Sequence, residues 1–304
     1  MLPQVRFPGT DVKPILRLFR VKQYSKNLFV LAALFFTKGF ANPHLVGLTL
    51  AAFVMMCLLG SSTYILNDLV DRERDRAHPK KRLRPIASDE ISTSTALTIS
   101  PLLLAAGLLV AGWLGVEILQ CAGVYLMLQV LYNVRLKRVP IADVFVIAAG
   151  FVLRVVVGAA AIHAQVSGWI LLCSGALALL IGFGKRRGEF VGQGESRAVT
   201  RESLNGYTLQ ILDALVICSA AGTAMCYGLY GIESRTAKEY PALILTVPVV
   251  VFGVLRYMML TFSSTDTAEP ESVVFRDPQL LVTLILFVLT AGAALAGLKI
   301  DFLN

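Results

Sequence analysis

The sequence predicts an all-α integral membrane protein, and three observations lead to this fold class. Hydrophobic residues make up 56% of the 304 residues and charged residues only 16%, which is more apolar than a soluble domain. Apolar stretches of about 20 residues, the length that a helix needs to cross a bilayer, recur along the chain. Lysine and arginine collect on alternate connections between these stretches, as they do in multi-pass membrane proteins.

Hydropathy divides the chain into nine predicted membrane-spanning helices. Their approximate ranges are 26–41, 44–66, 96–116, 118–132, 141–163, 168–184, 209–231, 240–262 and 279–298. The first and fourth spans are short, and their ends are the least sharply defined. Residues 1–25 are predicted to form a cytoplasmic amphipathic segment in the headgroup region, because apolar and basic residues occupy different sides of a short helix there. Residues 26–304 then form one membrane domain.

Charge placement orients these spans. The N-terminal segment and the connections after spans two, four and six carry 21 lysine and arginine residues, whereas the opposite connections and the C-terminus carry four. The positive-inside rule therefore predicts a cytoplasmic N-terminus and an outside C-terminus in the inner (cytoplasmic) membrane. Trp113 and Trp169 fall at the outer ends of spans three and six, where interfacial tryptophans are expected.

Composition also excludes some classes of function. The net charge of +8 is assigned to the orientation signal and to an anion site, so no nucleic-acid partner is expected. The five cysteines lie inside predicted spans without metal-ligand spacing, and the three histidines are scattered. A cysteine- or histidine-based metal site is therefore not expected, and a homo-oligomer is left open.

The most informative motif follows the second span and contains Asn67, Asp68, Asp71 and Asp75. At about 100° per residue, these four side chains fall within one narrow helix face. Clustered carboxylates repel each other unless a cation neutralises them, and hard oxygen ligands suit Mg²⁺. We interpret Asn67, Asp71 and Asp75 as metal ligands and the three aspartates as catalytic residues. The alternative is a solvated helix end with ordinary charge pairs.

Cationic and polar residues on other segments are predicted to complete a phosphate-binding site. Lysine and arginine suit phosphate oxygens that a metal leaves free, and ionisable residues within a span usually face a cavity or a partner. The candidate substrate-binding residues are Lys26, Asn67, Lys80, Arg82, Tyr132, Lys137, Asp143, Arg154, Lys185, Arg186, Glu189 and Arg256. Three simpler interpretations remain: an interface anchor for Lys26, an ordinary basic loop for residues 184–189 and a structural ion pair for Arg154.

The pattern Asn67-Asp68-x-x-Asp71-x-x-x-Asp75, together with nine spans, resembles the UbiA superfamily of intramembrane prenyltransferases. The resemblance implies nine helices around a central cavity that opens laterally to lipid. It also implies aspartate motifs and Mg²⁺ at the cytoplasmic mouth of that cavity. Usual members attach a prenyl group to an aromatic acceptor and carry a second aspartate-rich motif after span six. This chain departs from that pattern, because residues 184–189 contain three cations and one carboxylate.

The departure resembles one branch of the superfamily, the polyprenyl-phosphate phosphoribosyltransferases. The resemblance rests on residues 22–27, 135–141, 150–154, 184–189, 255–257, 269–271 and 276–277. It implies transfer of 5-phosphoribose from 5-phosphoribosyl 1-diphosphate (PRPP) to a polyprenyl (decaprenyl-like) phosphate, with release of diphosphate. The product would serve as a lipid-linked pentose (arabinose) donor for cell-envelope polysaccharide.

Three phosphate-containing groups would meet in such a site, which explains why cations replace carboxylates after span six. Mg²⁺ would neutralise the leaving diphosphate, and Asp68 could orient the ribose hydroxyls. Two alternatives are retained. One is transfer of a polyprenyl group to an aromatic or quinone precursor, and the other is a transporter or channel, for which the inverted repeat common in transporters was not found.

Overall fold

Helices form all of the regular secondary structure in the part of the chain that the computed structural model describes. That part comprises residues 12–77, 81–165, 167–192, 202–263, 273 and 276–298. The all-α membrane fold class is therefore confirmed. The α-helices are α1 Val12–Leu18, α2 Ala32–Phe36, α3 Pro43–Val70, α4 Arg72–Ala77, α5 Thr93–Leu114, α6 Val116–Val134, α7 Ala142–Ala161, α8 Gly168–Gly192, α9 Leu209–Glu233, α10 Arg235–Glu239, α11 Thr246–Ser263 and α12 Pro278–Leu295.

Short 3₁₀ segments connect several of these helices. Their bounds are Val21–Leu31, Gly39–Ala41, Lys81–Leu83, Leu136–Arg138, Glu202–Gly206 and Pro241–Leu245. The first of them is unusually long for a 3₁₀ segment, which rarely exceeds one turn.

Seven of the described helices are long and apolar enough to cross a membrane. They are α3, α5, α7, α8, α9, α12 and the continuous segment Pro241–Ser263 that contains α11. The predicted first span is instead a 3₁₀ segment followed by the five-residue helix α2, and the predicted fourth span is α6, which carries Glu117 and Gln120. The predicted count of nine is therefore approximate.

The N-terminal segment packs on the membrane helices. Leu18 of α1 is buried against Ile65 of α3 and against Ile86 and Ile91 from the connection before α5. Arg20 then turns the chain through a left-handed conformation, with φ 53° and ψ 46°, into Val21–Leu31. This turn brings the Arg20 side chain to the last turn of α3.

Neighbouring helices pack against each other in chain order. Helix α3 lies along α5, α6 contacts α7, α8 packs against both α7 and α9, and α11 lies between α9 and α12. The hydroxyl groups of Ser62 and Ser100 donate to each other's backbone carbonyl groups, at 2.9 and 3.1 Å, and so join α3 to α5 without an unpaired polar atom. The rings of Phe36 and Tyr230, 5.6 Å apart, join α2 to α9.

A glycine allows the 3₁₀ segment Val21–Leu31 to reach the centre of the bundle. A Cβ atom added at Gly158 of α7 would lie 1.9 Å from the backbone oxygen of Val30. Val30 is completely buried, and it packs between α3 and α7. Small residues commonly allow such close backbone contacts between helices in membranes.

We expect Gly158→Ala to destabilise the fold by about 1–3 kcal/mol, because the backbone of Val30 has to move to admit a methyl group. The measurement is the thermal midpoint in detergent. Gly123→Ala in α6 is the matched control, since an added Cβ there meets no atom within 4 Å. Equal midpoints for the two variants would contradict this account of the packing.

Candidate active site

The aspartate motif lies where α3 ends and α4 begins. Asp71 stands between the two helices, with its N–H donating to the carbonyl of Asn67 at 2.9 Å, and the N–H of Asp75 donates to the carbonyl of Asp71 at 2.8 Å. The backbone therefore continues in a nearly helical path, and Asp68 and Asp75 stay about 20° apart around its axis. The motif divides into two pairs, Asp68 with Asp75 and Asn67 with Asp71.

The first pair of carboxylates is buried and bound by arginine. Asp68 and Asp75 are 4% and 2% exposed. Nη1 of Arg84 lies 2.9 Å from Oδ1 of Asp68 and 2.6 Å from Oδ2 of Asp75. Nη2 of Arg20 lies 2.5 Å from Oδ1 of Asp68. Two guanidinium groups from separate segments thus balance the charge of two carboxylates.

Asp71 is held more loosely. Its carboxylate is 17% exposed and lies 3.6 Å from Nζ of Lys137 and 3.6 Å from Nη1 of Arg74, beyond ordinary hydrogen-bonding distance. Asn67 is half-buried one turn earlier on α3. These two side chains are therefore the motif oxygens best able to exchange partners.

The oxygen ligands of the motif suit a Mg²⁺ ion that binds few protein side chains. The described residues contain no group of three histidine, cysteine, aspartate or glutamate side chains placed to hold a metal by themselves. Protein-bound Mg²⁺ often takes only one or two carboxylates and completes its octahedron with substrate phosphates and water. Asn67, Asp71 and Asp75 would supply the protein ligands of that arrangement, and Arg84 is the present partner of Asp75.

A second ionic network joins the start of α7 to the end of α8. Nε of Arg186 lies 2.8 Å from Oδ2 of the completely buried Asp143, and Arg186 also pairs with Glu189. The hydroxyl groups of Ser203 and Tyr207 each donate to Asp143 at 3.2 Å. Burial, opposed by the hydrogen bond from the N–H of Ile141 and reinforced by the nearby Asp143 carboxylate, raises the pKa of Tyr207 to about 12.

The two networks meet through the connection between α6 and α7. Lys137 lies beside Asp71, and Tyr132 lies close enough to Arg186 to interact with it electrostatically. The structure therefore brings Asn67, Asp71, Tyr132, Lys137 and Arg186 to one end of the bundle, which we call the motif end.

Arg154 is buried deeper in α7, among neutral groups. Its Nε donates to Oδ1 of Asn27 at 2.7 Å and its Nη1 donates to the carbonyl of Gly150 at 2.7 Å. Its guanidinium lies 5.3 Å from the ring centroid of Tyr125. Among the described residues, Arg154 contacts an amide, a carbonyl and aromatic rings rather than a carboxylate. The interhelical ion pair considered for Arg154 is therefore not the arrangement found.

The remaining candidates occupy different places. Arg256 binds Asp277 in a bidentate pair, at 3.2 and 2.6 Å, and this hydrogen bonding lowers the pKa of Asp277, which caps α12. Lys26 and Lys185 are half-buried, and Arg82 is exposed. Lys80 lies outside the described residues. The role of every candidate in substrate binding stays a prediction.

Several residues at the motif end were missing from the predicted site. Arg20 and Arg84 bind the motif aspartates, and Ser203 and Tyr207 bind Asp143. Arg84 follows the predicted substrate-binding residues Lys80 and Arg82, so its charge is the signal that could have identified it. Ser203 carries no comparable signal, because an isolated serine in a connection is common.

Comparison with known proteins identifies the family. Residues 27–185 match the UbiA prenyltransferase family. The chain belongs to that family. The UbiA match covers more than half of the sequence, and it confirms the resemblance inferred from the aspartate motif.

Two relatives that match this UbiA protein over most of both chains share one name. The chain is 30% identical over 301 residues to the decaprenyl-phosphate phosphoribosyltransferase of Mycolicibacterium smegmatis, covering 95% of this chain and 94% of the relative. It is 30% identical over 280 residues to the protein of that name from Corynebacterium glutamicum, covering 90% and 84%. These similarities make the chain a transferase.

A solved structure agrees with the fold. A UbiA homolog from Archaeoglobus fulgidus bound to GPP and Mg²⁺ superimposes with a TM-score of 0.71 at 17% identity, covering 93% of this chain and 99% of that one. At this identity the likeness supports the UbiA fold alone.

Because Arg186 is buried, we expect its removal to lower the stability of the fold. We expect Arg186→Met to cost about 3–5 kcal/mol of stability, because Asp143 would keep a buried charge without its guanidinium. Arg138→Met is the control: Arg138 is half exposed and lies 3.4 Å from Glu202, and such a surface pair contributes about 0–1 kcal/mol. Thermal midpoints of both variants in detergent provide the comparison.

The double variant Arg186→Met with Asp143→Asn should recover part of the lost stability. If Arg186→Met instead has the same thermal midpoint as the wild type but a lower affinity for substrate, the ion pair with Asp143 does not stabilise the fold.

Proposed function

We propose that this UbiA-family enzyme transfers 5-phosphoribose from PRPP to a polyprenyl phosphate. The structural observation that supports this most strongly is the number of cations at the motif end: Arg20, Arg84 and Lys137 lie beside the motif aspartates, and Lys185 precedes Arg186 in α8. A site with this charge suits several phosphate groups. The full-length relatives named decaprenyl-phosphate phosphoribosyltransferase support the same reaction.

The reaction breaks one bond at C1 of the ribose and forms another there. The bond from C1 to the diphosphate oxygen breaks, and a phosphate oxygen of the lipid takes its place, with diphosphate leaving. Mg²⁺ bound at Asn67, Asp71 and Asp75 would supply charge neutralisation for the diphosphate. Lys137, 3.6 Å from Asp71, is placed to add a further positive charge there.

The acceptor needs little activation by the protein. A lipid phosphate is already anionic near neutral pH, so no general base has to remove a proton before attack. What the site must provide is positive charge that holds two anions near each other, and Lys26 and Lys185 are proposed for the acceptor phosphate. Arg154, a predicted substrate-binding residue, is 7% exposed, and its role in binding the acceptor phosphate stays a prediction.

The location follows from the proposed orientation. If the N-terminus is cytoplasmic, the motif end faces the cytoplasm, where a water-soluble sugar diphosphate would enter. The polyprenyl tail would remain in the bilayer, and the lipid-linked pentose product would be available for cell-envelope polysaccharide synthesis.

Prenyl transfer to an aromatic or quinone precursor is the second candidate. The observation that favours it is the similarity of the fold to a UbiA homolog that binds GPP. It would use the same aspartate motif, so the two candidates differ in which substrates react.

We expect purified protein with Mg²⁺, PRPP labelled with ³²P at the 5-phosphate, and polyprenyl phosphate to form a labelled lipid that partitions into butanol. Omitting the polyprenyl phosphate should abolish the lipid product. If a prenyl diphosphate and an aromatic acceptor react instead, prenyl transfer becomes the function. Activity in detergent, without a membrane gradient, separates both from transport.

We expect Asp71→Ala to reduce turnover by about 100-fold or more with little change in thermal midpoint. Its ion pairs are long and its side chain is partly exposed, so its loss removes charge stabilisation of the reaction rather than packing. Glu73→Ala is the matched control, because Glu73 is an exposed carboxylate two residues away. Near wild-type turnover in Asp71→Ala would remove Asp71 from the proposed metal ligands.

A further inference from the structure

One guanidinium group lies between the two buried carboxylates of the motif. Nη1 of Arg84 contacts Asp68 and Asp75 at the same time, at 2.9 and 2.6 Å. A divalent cation at the motif would have to neutralise the same negative charge, because Asp75 belongs to the proposed metal ligands. Arg84 and the cation are therefore competitors for Asp75.

The backbone around Arg84 is anchored, whereas its side chain remains accessible. Ile86, two residues later, is 1% exposed and packs against Leu18 and Ile65. Asp89 in the same connection binds Arg72 and Arg76 at 2.6 and 2.5 Å. The side chain of Arg84 is 26% exposed, so it can change partner without moving the segment that carries it.

We propose that Arg84 is the resident counter-ion of Asp68 and Asp75 and passes to a diphosphate when a divalent cation binds the motif, so that cation and diphosphate bind cooperatively. This rests on the proposed function only in that the substrate carries a diphosphate. If the cation binds without diphosphate, it displaces the Arg84 guanidinium, which then has no anionic partner. If the diphosphate binds without a cation, it is repelled by the two carboxylates. When both bind, each charge has a partner of opposite sign.

The proposal predicts opposite effects of one substitution on two ligands. Arg84→Gln removes the competitor, so Mn²⁺ alone should bind about tenfold more tightly than to the wild type. The preformed complex of Mn²⁺ with inorganic diphosphate should bind about tenfold more weakly, because the guanidinium partner of the diphosphate is gone. Changes of this size are typical of coupling between two binding sites.

Free Mn²⁺ is measured by electron paramagnetic resonance, and binding of the complex is measured by calorimetry, both on the full chain in detergent. Arg17→Gln is the matched control, because Arg17 comes from the same end and pairs with Glu90 instead of the motif. Its affinities for both ligands should equal those of the wild type. If Arg84→Gln lowers the affinity for both ligands or leaves both affinities unchanged, the proposal fails.

Loss of Arg84 also leaves buried carboxylates without one of their counter-ions, so the variant has a second readout. Its thermal midpoint should be below that of the wild type without metal and should rise more than that of the wild type when Mn²⁺ is added. Absence of this preferential rescue would also overturn the proposal. Because inorganic diphosphate carries no phosphoribose, these results do not depend on which donor the enzyme uses.

Discussion

Ion pairs between separate segments hold the motif end of this membrane protein together. Arg20 from the N-terminal segment and Arg84 from the connection before α5 both bind Asp68, and Arg186 of α8 binds Asp143 of α7. Removing one member of such a pair would leave a buried charge uncompensated. The positions of the N-terminal segment, the α4–α5 connection and the α7–α8 pair therefore depend on the charge balance at this end.

The body of the bundle is held by different forces. Lipid offers no hydrophobic driving force between helices, so close contact and satisfied polar groups decide their packing. Gly158 admits the backbone of Val30, and Ser62 and Ser100 satisfy each other's hydrogen bonds. Even the intramembrane Arg154 is bound by neutral groups from two segments. This closely packed body carries the segments whose ion pairs form the motif end.

Charge at the motif end also connects structure to the proposed reaction. Asp68, Asp75 and Asp143 are matched by arginines within the protein, whereas Asp71 is held only loosely by Lys137 and Arg74. In the proposed reaction, a polyphosphate substrate with its cation would bind beside Asp71, and Lys185 near the end of α8 would add positive charge for the lipid-phosphate acceptor.

The sequence by itself determined the membrane fold class and the shared helix face of the aspartate motif, because apolar length and helical spacing are local properties of the chain. The resemblance of its motifs also predicted the UbiA family. The sequence also identified Lys137 as a candidate substrate-binding residue from its charge, and the structure places Lys137 3.6 Å from Asp71. Only the tertiary structure decided that Arg84 bridges Asp68 and Asp75, that Asp143 and Arg186 form a buried pair, and that the first span is largely 3₁₀. These outcomes depend on contacts between residues as far apart as Arg20 and Asp68. Helical periodicity predicts the helix face on which a side chain lies. Its ion-pair partner, in contrast, depends on which residues distant in sequence the fold buries beside it.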